Sequence, residues 1–164
     1  SFSKCVVKSA LIWEDIEKAG LRGVAGVWCM EPGGGRLFNV VAIKQAYAGH
    51  AKQALLLTAG SHAGNYLGRF VVVVDDDIDP SNIHDVTWAI ASRCDPVEDI
   101  DIIRNAWSGP LDPRRKKGDN YNSRALVDAC RPFDWIDDFP PVAEASPEEK
   151  KRTLEKFGYL LKKL

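Results

Sequence analysis

The sequence predicts a three-layer α/β domain, in which a mixed sheet carries helices on its faces and is followed by a C-terminal amphipathic helix. The strongest observation is an uninterrupted apolar run at residues 70–74, four of which are valines. Such a run is typical of a strand that is buried on both faces. Helical patterns precede and follow it, and strands that alternate with helices favour parallel pairs with right-handed crossovers.

Composition limits the class of protein. A chain of 164 residues with a net charge of -1 suits one domain and gives no reason to expect nucleic acid as a partner. The four cysteines are widely spaced without a Cys-x-x-Cys pair, which favours reduced thiols in the cytoplasm. No apolar run approaches the roughly 20 residues of a membrane span. The sequence begins without methionine, and we expect it to be a fragment of a longer protein.

The first part of the chain predicts a helix and a two-stranded hairpin. Residues 7–19 show helical spacing of their apolar side chains, and Gly20 ends this helix. Residues 23–30 and 36–44 are strand candidates that form an antiparallel hairpin. The three glycines at 33–35 join these strands and open no helix, so they favour a hairpin turn over a phosphate-binding loop.

Two helices are expected on either side of the valine run. Residues 50–58 are rich in Ala and Leu and predict the first of them. Residues 82–93 predict the second, with Ser81 as its N-cap. Residues 100–103 then predict a short strand, which completes the alternation of helix and strand.

The sequence changes character after this strand. Gly and Pro at residues 109–113, followed by four basic residues at 114–117, predict a long loop with a basic patch. We expect a short helix near residues 123–130, and the Phe-Pro-Pro segment at 139–141 is typical of a linker.

The tail is the clearest helix in the sequence, so we expect a domain at residues 1–141 and a linker with a C-terminal helix at 142–164. Ser146 as N-cap, Pro147 at the first helical position and Glu149 form a capping box. This helix needs a surface on which to bury its apolar stripe: its own domain, a neighbouring domain or another copy of the chain. The last two are favoured. The stripe consists of Leu154, Phe157, Leu161 and Leu164.

An acidic segment directly follows the valine run and raises the question of a metal site. Asp75, Asp77 and Asp79 alternate as hard oxygen ligands of the kind that Mg²⁺ prefers. Alternate side chains of a strand reach only one face, however. The last acid, Asp79, directly precedes Pro80 and is expected to interact with the following helix. We favour the interpretation that these acids cap and orient that helix.

The three histidines do not form a zinc site with other ligand types at helical spacing. His84 is expected at the surface or at a cap, and His50 is expected to be neutral or capping. His62 lies in a flexible polar segment between a helix and a strand, where a contact to a phosphate or another ligand is feasible. No Ser-His-Asp or Cys-His set can be assembled from the spacing.

Five segments of distinctive sequence follow one another along the chain. They are Lys-Gln-Ala-Tyr-Ala-Gly-His-Ala-Lys-Gln at 44–53, the Val-Val-Val-Val-Asp-Asp-Asp-Ile-Asp-Pro run at 71–80, Val-Thr-Trp-Ala-Ile-Ala-Ser-Arg-Cys-Asp-Pro at 86–96, Trp-Ser-Gly-Pro-Leu-Asp-Pro at 107–113 and Asn-Ser-Arg-Ala-Leu-Val-Asp-Ala-Cys-Arg-Pro at 122–132. In this order they resemble motifs of the UbiD-type decarboxylases. The likeness covers most of the chain, and the number and order of the motifs make the resemblance specific.

The resemblance implies that the chain is the C-terminal domain of an enzyme whose flavin-binding domain lies upstream. Members of the family carry out reversible, non-oxidative decarboxylation of aromatic or α,β-unsaturated acids with prenylated FMN, Mn²⁺ and K⁺. The flavin serves as an electron sink. The catalytic Glu-Arg-Glu set and the metal ligands belong to the upstream region, so the resemblance assigns no catalytic residue and no metal ligand here. The residues of the 107–113 motif resemble those of the phenolic-acid, gallate or furan-carboxylate branch of the family.

The resemblance also implies two contacts made by this chain. A lysine that binds the cofactor phosphate precedes Ala-Gly in the family, and His62 stands at that position here. A Pro-Leu-x-Pro segment of the family forms part of a lid over the substrate, which corresponds to Pro110 and Leu111, with Trp107 nearby as a pocket wall.

The implied function is therefore a lid and oligomerisation domain, inactive without its upstream flavin domain and forming a homo-oligomer. Two alternatives remain open. One is a metal-dependent phosphatase-like domain that uses Asp75 and Asp77. The other is a purely structural module whose tail helix makes a dimer.

Overall fold

A computed structural model describes residues 2–161 and confirms the α/β fold with a mixed sheet and a C-terminal helix. The helices are α1 (Phe2–Lys18), α2 (His50–Gly60), α3 (His62–Asn65), α4 (Ile83–Arg93) and α5 (Pro147–Leu161). The strands are β1 (Val24–Cys29), β2 (Phe38–Ile43), β3 (Phe70–Asp75), β4 (Ile100–Trp107) and β5 (Tyr121–Ala129).

The valine run forms β3, the middle strand of a five-stranded sheet with the order β1-β2-β3-β5-β4. It is parallel to β2 and β5, whereas the outer pairs β1–β2 and β4–β5 are antiparallel. One face of the sheet forms a core with α1 and α2, and the other face forms a second core with α4. The prediction of a strand buried on both faces is confirmed.

The N-terminal prediction is also confirmed, although α1 begins earlier than expected, at Phe2. The helix is attached to β1 through a buried hydroxyl. Ser9 Oγ donates to the carbonyl of Cys5 at 2.6 Å and accepts a hydrogen bond from the Cys29 N–H at 2.9 Å. The triple glycine makes the turn of the β1–β2 hairpin, where Gly34 adopts a φ of 64° that favours glycine.

The prediction of a short helix near residues 123–130 is wrong, because this segment forms β5. Strand β5 pairs in parallel with β3, with Val71 opposite Leu126 and Val73 opposite Asp128. A strand inside a sheet is apolar on both faces, and an Ala-Leu-Val segment has no alternation that would distinguish it from a buried helix. The strand expected at 100–103 extends to Trp107 and is an edge strand antiparallel to β5 rather than part of a parallel series.

The expected N-cap of α4 needs a correction of one residue. Asn82 is the N-cap, and its side-chain oxygen accepts a hydrogen bond from the His84 N–H at 3.0 Å. Ser81 lies in the preceding turn, where its N–H and its hydroxyl both donate to Asp79, at 2.8 and 2.7 Å. Because the Ser81 hydroxyl is engaged in that turn, Asn82 and not Ser81 caps the N-terminus of α4.

The capping box of α5 is confirmed. Ser146 Oγ accepts from the Glu149 N–H at 3.2 Å, and the Glu149 carboxylate accepts from the Ser146 N–H at 2.9 Å. Leu154 and Phe157 are 57% and 45% exposed, and among the described residues no member of α5 belongs to either core. Leu164 of the expected stripe lies outside the described residues, as does the side chain of Leu161. The described part of the stripe is therefore solvent-exposed in the isolated chain.

No helix within residues 2–161 is long and apolar enough to cross a membrane. The cysteines in this part of the chain form no disulfide.

Candidate functional site

The acidic segment after β3 forms a buried hydrogen-bond network at the carboxyl edge of the sheet. Asp75 is 1% exposed. One of its oxygens accepts from Gln45 Nε2 at 2.8 Å. The other accepts from Arg93 Nη1 at 3.0 Å, from the Arg131 N–H at 2.8 Å and from Arg131 Nε at 3.1 Å. This carboxylate therefore connects β3 to the end of α4 and to the segments that follow β2 and β5.

Asp77 completes the network from the surface side. Arg93 donates to both of its carboxylate oxygens, at 2.8 and 2.7 Å. These hydrogen bonds from Arg93 lower the pKa of Asp77, although its partial burial opposes the shift. Arg93 is the last residue of α4, where a cation also suits the helix dipole. The acids thus fix the C-terminal end of α4, which supports the orienting role favoured from the sequence.

The structure gives no support to the magnesium interpretation of these acids. The Asp75 oxygens already accept four hydrogen bonds from Gln45, Arg93 and Arg131. Asp79 lies in the turn before α4 and accepts from Ser81. In the part of the chain that the structure describes, no group of three or more His, Cys, Asp or Glu side chains could hold a metal ion. The phosphatase alternative therefore lacks a metal site among the described residues.

His62 is exposed and opens the short helix α3. It borders a concavity of about 410 Å³ together with Asp15 and Lys18. Asp15 accepts a hydrogen bond from the Ala63 N–H at 3.0 Å, and Lys18 is paired with Glu14 at 2.6 Å. Because Asp15 and Lys18 both interact with other groups of the chain, the described residues of this concavity do not form a phosphate site by themselves. The phosphate contact expected of His62 stays a prediction.

The other two histidines differ in their surroundings. His50 is fully buried, stacks on Tyr47 with a centroid distance of 4.4 Å, and its Nδ1 accepts from the Ala46 N–H at 3.2 Å. This contact closes the turn before α2. His84 is exposed in the first turn of α4.

The three residues expected to face a substrate lie at the end of β4 and in the loop that follows it. Trp107 is 47% exposed and packs on Tyr66 with a centroid distance of 5.4 Å. Pro110 is exposed, and Leu111 is 64% exposed. Gly109 permits this arrangement, because a Cβ there would lie 2.3 Å from the Tyr66 ring. The loop therefore presents an apolar tip beside an aromatic pair.

A buried carboxylate holds this loop in place. Asp112 is 4% exposed, and one of its oxygens accepts from the Arg69 guanidinium and from the Arg114 N–H. The other accepts from Ser108 Oγ and from Asn122 Nδ2, both at 2.9 Å. Burial alone would raise the pKa of Asp112, but the donors around it outweigh burial and lower the pKa to about 2. Asp112 is therefore a fixed anion that joins the loop to β5 and to the segment before β3.

A buried arginine supports the base of the same loop. Arg124 is 1% exposed and donates to three backbone carbonyls: Ala59 at 2.8 Å, Asn65 and Trp107. It thereby connects α2, α3 and β4. The sequence analysis did not identify the roles of Arg124 and Asp112, although both lie in the quoted motifs. For Arg124 the cause is the helix wrongly expected near residues 123–130, since this segment is a strand inside the sheet.

Comparison with known proteins gives a consistent result. Residues 2–129 match the family model described as the 3-octaprenyl-4-hydroxybenzoate carboxy-lyase C-terminal domain. The anhydromevalonate phosphate decarboxylase of Aeropyrum pernix is 33% identical over 127 residues, which are 77% of this chain and 28% of that protein. The phenolic acid decarboxylase of Sedimentibacter hydroxybenzoicus is 31% identical over 110 residues, 67% of this chain and 21% of that protein.

Two solved structures show the same fold. The UbiD-class enzyme HmfF from Pelotomaculum thermopropionicum, in complex with FMN, has a TM-score of 0.76 and 25% identity, covering 92% of this chain and 32% of that chain. The closed form of the vanillic acid decarboxylase of Sedimentibacter hydroxybenzoicus has a TM-score of 0.72 and 26% identity, covering 97% and 33%. The chain thus spans about a third of these structures and less than a third of the two curated relatives.

Proposed function

Because the chain belongs to the UbiD family of carboxy-lyases, as the C-terminal domain, we propose that it is the lid and oligomerisation domain of a reversible, non-oxidative decarboxylase. The substrates are aromatic or α,β-unsaturated carboxylic acids. A phenolic or heteroaromatic acid is favoured, since one relative is a phenolic acid decarboxylase. The observation that carries the proposal is the loop with an exposed apolar tip on a buried ionic anchor.

The tip has the properties of a surface that closes over a substrate held by another domain. Trp107 and Leu111 are large apolar side chains, and they are 47% and 64% exposed in the chain by itself. Asp112 directly follows the tip and holds it in place. Because the tip is already ordered, little conformational entropy is lost when it closes over a substrate. A closing lid excludes water from the reacting carboxylate and orients it.

A structural neighbour supports such a movement. The vanillic acid decarboxylase of Sedimentibacter hydroxybenzoicus has been solved in an open form and in a closed form. In both forms it matches this chain, with TM-scores of 0.70 and 0.72.

The proposed cofactor is prenylated FMN, with Mn²⁺ and K⁺, held by an upstream flavin-binding domain of the same enzyme. The neighbour HmfF was solved in complex with FMN. When bound, this flavin supplies an electron sink for the decarboxylation. The exposed imidazole of His62 would contribute one contact to the cofactor phosphate, and the remaining donors would come from the upstream domain.

Replacing Leu111 with alanine in the full-length enzyme is expected to lower kcat/KM by about tenfold, because it removes apolar contact with the substrate. The measurement is decarboxylation of a 4-hydroxybenzoate-type acid by the flavin-loaded enzyme. Val97→Ala is the matched control, since Val97 is also an exposed aliphatic residue outside helices and strands, at 84% exposure. Unchanged kinetics of the Leu111 variant would favour the purely structural module. Decarboxylation by the 164 residues alone would refute the proposal that the catalytic centre lies in an upstream domain.

The tail helix is proposed to bury its apolar stripe on a second copy of the chain. Removal of residues 143–164 should therefore give particles of a single chain in analytical ultracentrifugation. Phe157→Asp in the intact chain should likewise halve its mass. Arg152→Asp changes the charge on the other side of α5 and should leave the mass unaltered. The same number of chains per particle in the intact and shortened forms would show that the helix does not join two copies.

A further inference from the structure

A basic pocket lies where β3 and β5 begin, beneath the β4–β5 loop. Its volume is about 550 Å³, within the range of small-molecule sites. The basic pocket is defined here by an apolar floor on the sheet and a cationic wall on the loop. The floor consists of Phe70, Ile102, Tyr121 and Ala125, and the wall consists of Arg114, Arg115 and Lys116.

In the described part of the chain, the floor residues belong to neither of the cores that the sheet forms with its helices. Phe70 lies opposite Ala125, and Ala125 lies opposite Ile102, so the three side chains form one row across neighbouring strands. The next such row, Val72 and Val127, is buried in the core with α4. The uncovered row stays accessible: Phe70 is 41% exposed and Ile102 is 52% exposed. An apolar or aromatic group can therefore lie flat on the floor.

The wall carries a surplus of positive charge. Among the described residues no carboxylate forms an ion pair with Arg114, Arg115 or Lys116, although Asp119 also lines the pocket. Arg69, another lining residue, is neutralised by Asp112. Three cations against one carboxylate leave a net charge of about two, which matches a dianion.

A fixed charge behind the pocket strengthens this potential. Arg124 lines the pocket and is 1% exposed, and its guanidinium is held only by backbone carbonyls of the described residues. Its Nε is buried and has no hydrogen-bond partner among them. A buried guanidinium remains protonated. Arg124 forms no ion pair among the described residues, and the Asp112 carboxylate near it offsets only part of its charge.

We propose that the basic pocket binds a phosphate monoester, with the phosphate against Arg114, Arg115 and Lys116 and an aromatic or apolar body on the floor. Arginine is suited to a phosphate because its planar guanidinium donates two parallel hydrogen bonds. The floor favours an ester over free phosphate, since its Tyr121 side chain is 50% exposed and offers a ring for stacking. This assignment goes beyond the proposed function and does not depend on it.

Isothermal titration of the intact 164-residue chain with phenyl phosphate at low salt tests the site. Saturable binding is expected, and the double variant Arg114→Gln/Lys116→Gln should weaken it by about tenfold or more. The control Arg22→Gln/Lys44→Gln removes the same charge at exposed positions away from the pocket and should bind as the unaltered chain does. Equal weakening in both double variants would overturn the proposal, because binding would then follow net charge alone.

Ligand comparisons test the two halves of the pocket separately. Tyr121→Ser should weaken phenyl phosphate by about fivefold while inorganic phosphate, which lacks a ring, binds unchanged. 4-Hydroxybenzoate, a monoanion with the same ring, should bind at least about fivefold more weakly than phenyl phosphate. No saturation by phenyl phosphate up to about 10 mM, or equal affinity for 4-hydroxybenzoate, would refute a phosphate monoester site.

Discussion

Replacing Asp75 with alanine is expected to lower the free energy of unfolding by about 3–5 kcal/mol, because one partner of a buried ion pair is removed. The variant deprives Gln45 and Arg131 of an acceptor. Arg93, which is 5% exposed, keeps only the partly exposed Asp77 as a carboxylate partner among the described residues. Urea denaturation followed by circular dichroism measures the change.

The adjacent acid provides the control for this experiment. Asp76 is exposed, and Asp76→Ala should change the free energy of unfolding by less than about 0.5 kcal/mol. Equal stability of the Asp75 and Asp76 variants would contradict the structural role of the network. Titration of the unaltered chain with Mg²⁺ is the complementary measurement, and tight binding that Asp77→Ala abolishes would revive the metal interpretation.

The parts of the fold that the sequence predicts well are those with a local physical cause. The valine run is recognisable because a strand with helices on both faces needs apolar residues on both sides. The capping box of Ser146 and Glu149 is recognisable because both partners lie within one helical turn. The hairpin of β1 and β2 follows from two apolar segments around a glycine turn.

The segment of β5 shows where such reasoning ends. Ala125, Leu126 and Val127 lack the alternation of a half-buried strand, and only the pairing with β3 decides their conformation. That pairing joins residues more than fifty positions apart in sequence, beyond any local pattern. The error at β5 also hid Arg124, since a residue assigned to a loop helix gives no reason to expect burial.

In the candidate site, too, the local motif is predictable from the sequence, whereas the contacts between distant residues are not. The exposed tip at Leu111 lies in a recognisable motif, but its anchor depends on distant partners. Arg69 lies 43 positions from Asp112, and Ala59 lies 65 positions from Arg124. No spacing rule relates these pairs, so the sequence alone could not show that a carboxylate and a guanidinium hold the loop.

Replacing Asp112 with alanine should lower the free energy of unfolding by about 2–4 kcal/mol, because the buried donors around it lose their acceptor. Ser108, Asn122 and Arg69 are the side chains affected. In the full-length enzyme kcat/KM should also fall, since the tip at Leu111 loses its support. Asp137→Ala, at an exposed position outside the loop, is the control for both measurements.

The pH dependence of stability separates this role from a general loss of packing. The pKa of Asp112 is about 2 in the folded chain, against 3.8 for an ordinary aspartate, so the folded state binds its proton less readily. A carboxyl with a depressed pKa stabilises the fold above pH 3.8 and loses this contribution as the pH falls towards about 2. The unaltered chain should therefore lose about 2 kcal/mol across this window through Asp112, and the alanine variant should lack that component. Parallel stability curves for the two proteins between pH 5 and pH 2 would show that Asp112 does not anchor the loop as an ionised carboxylate.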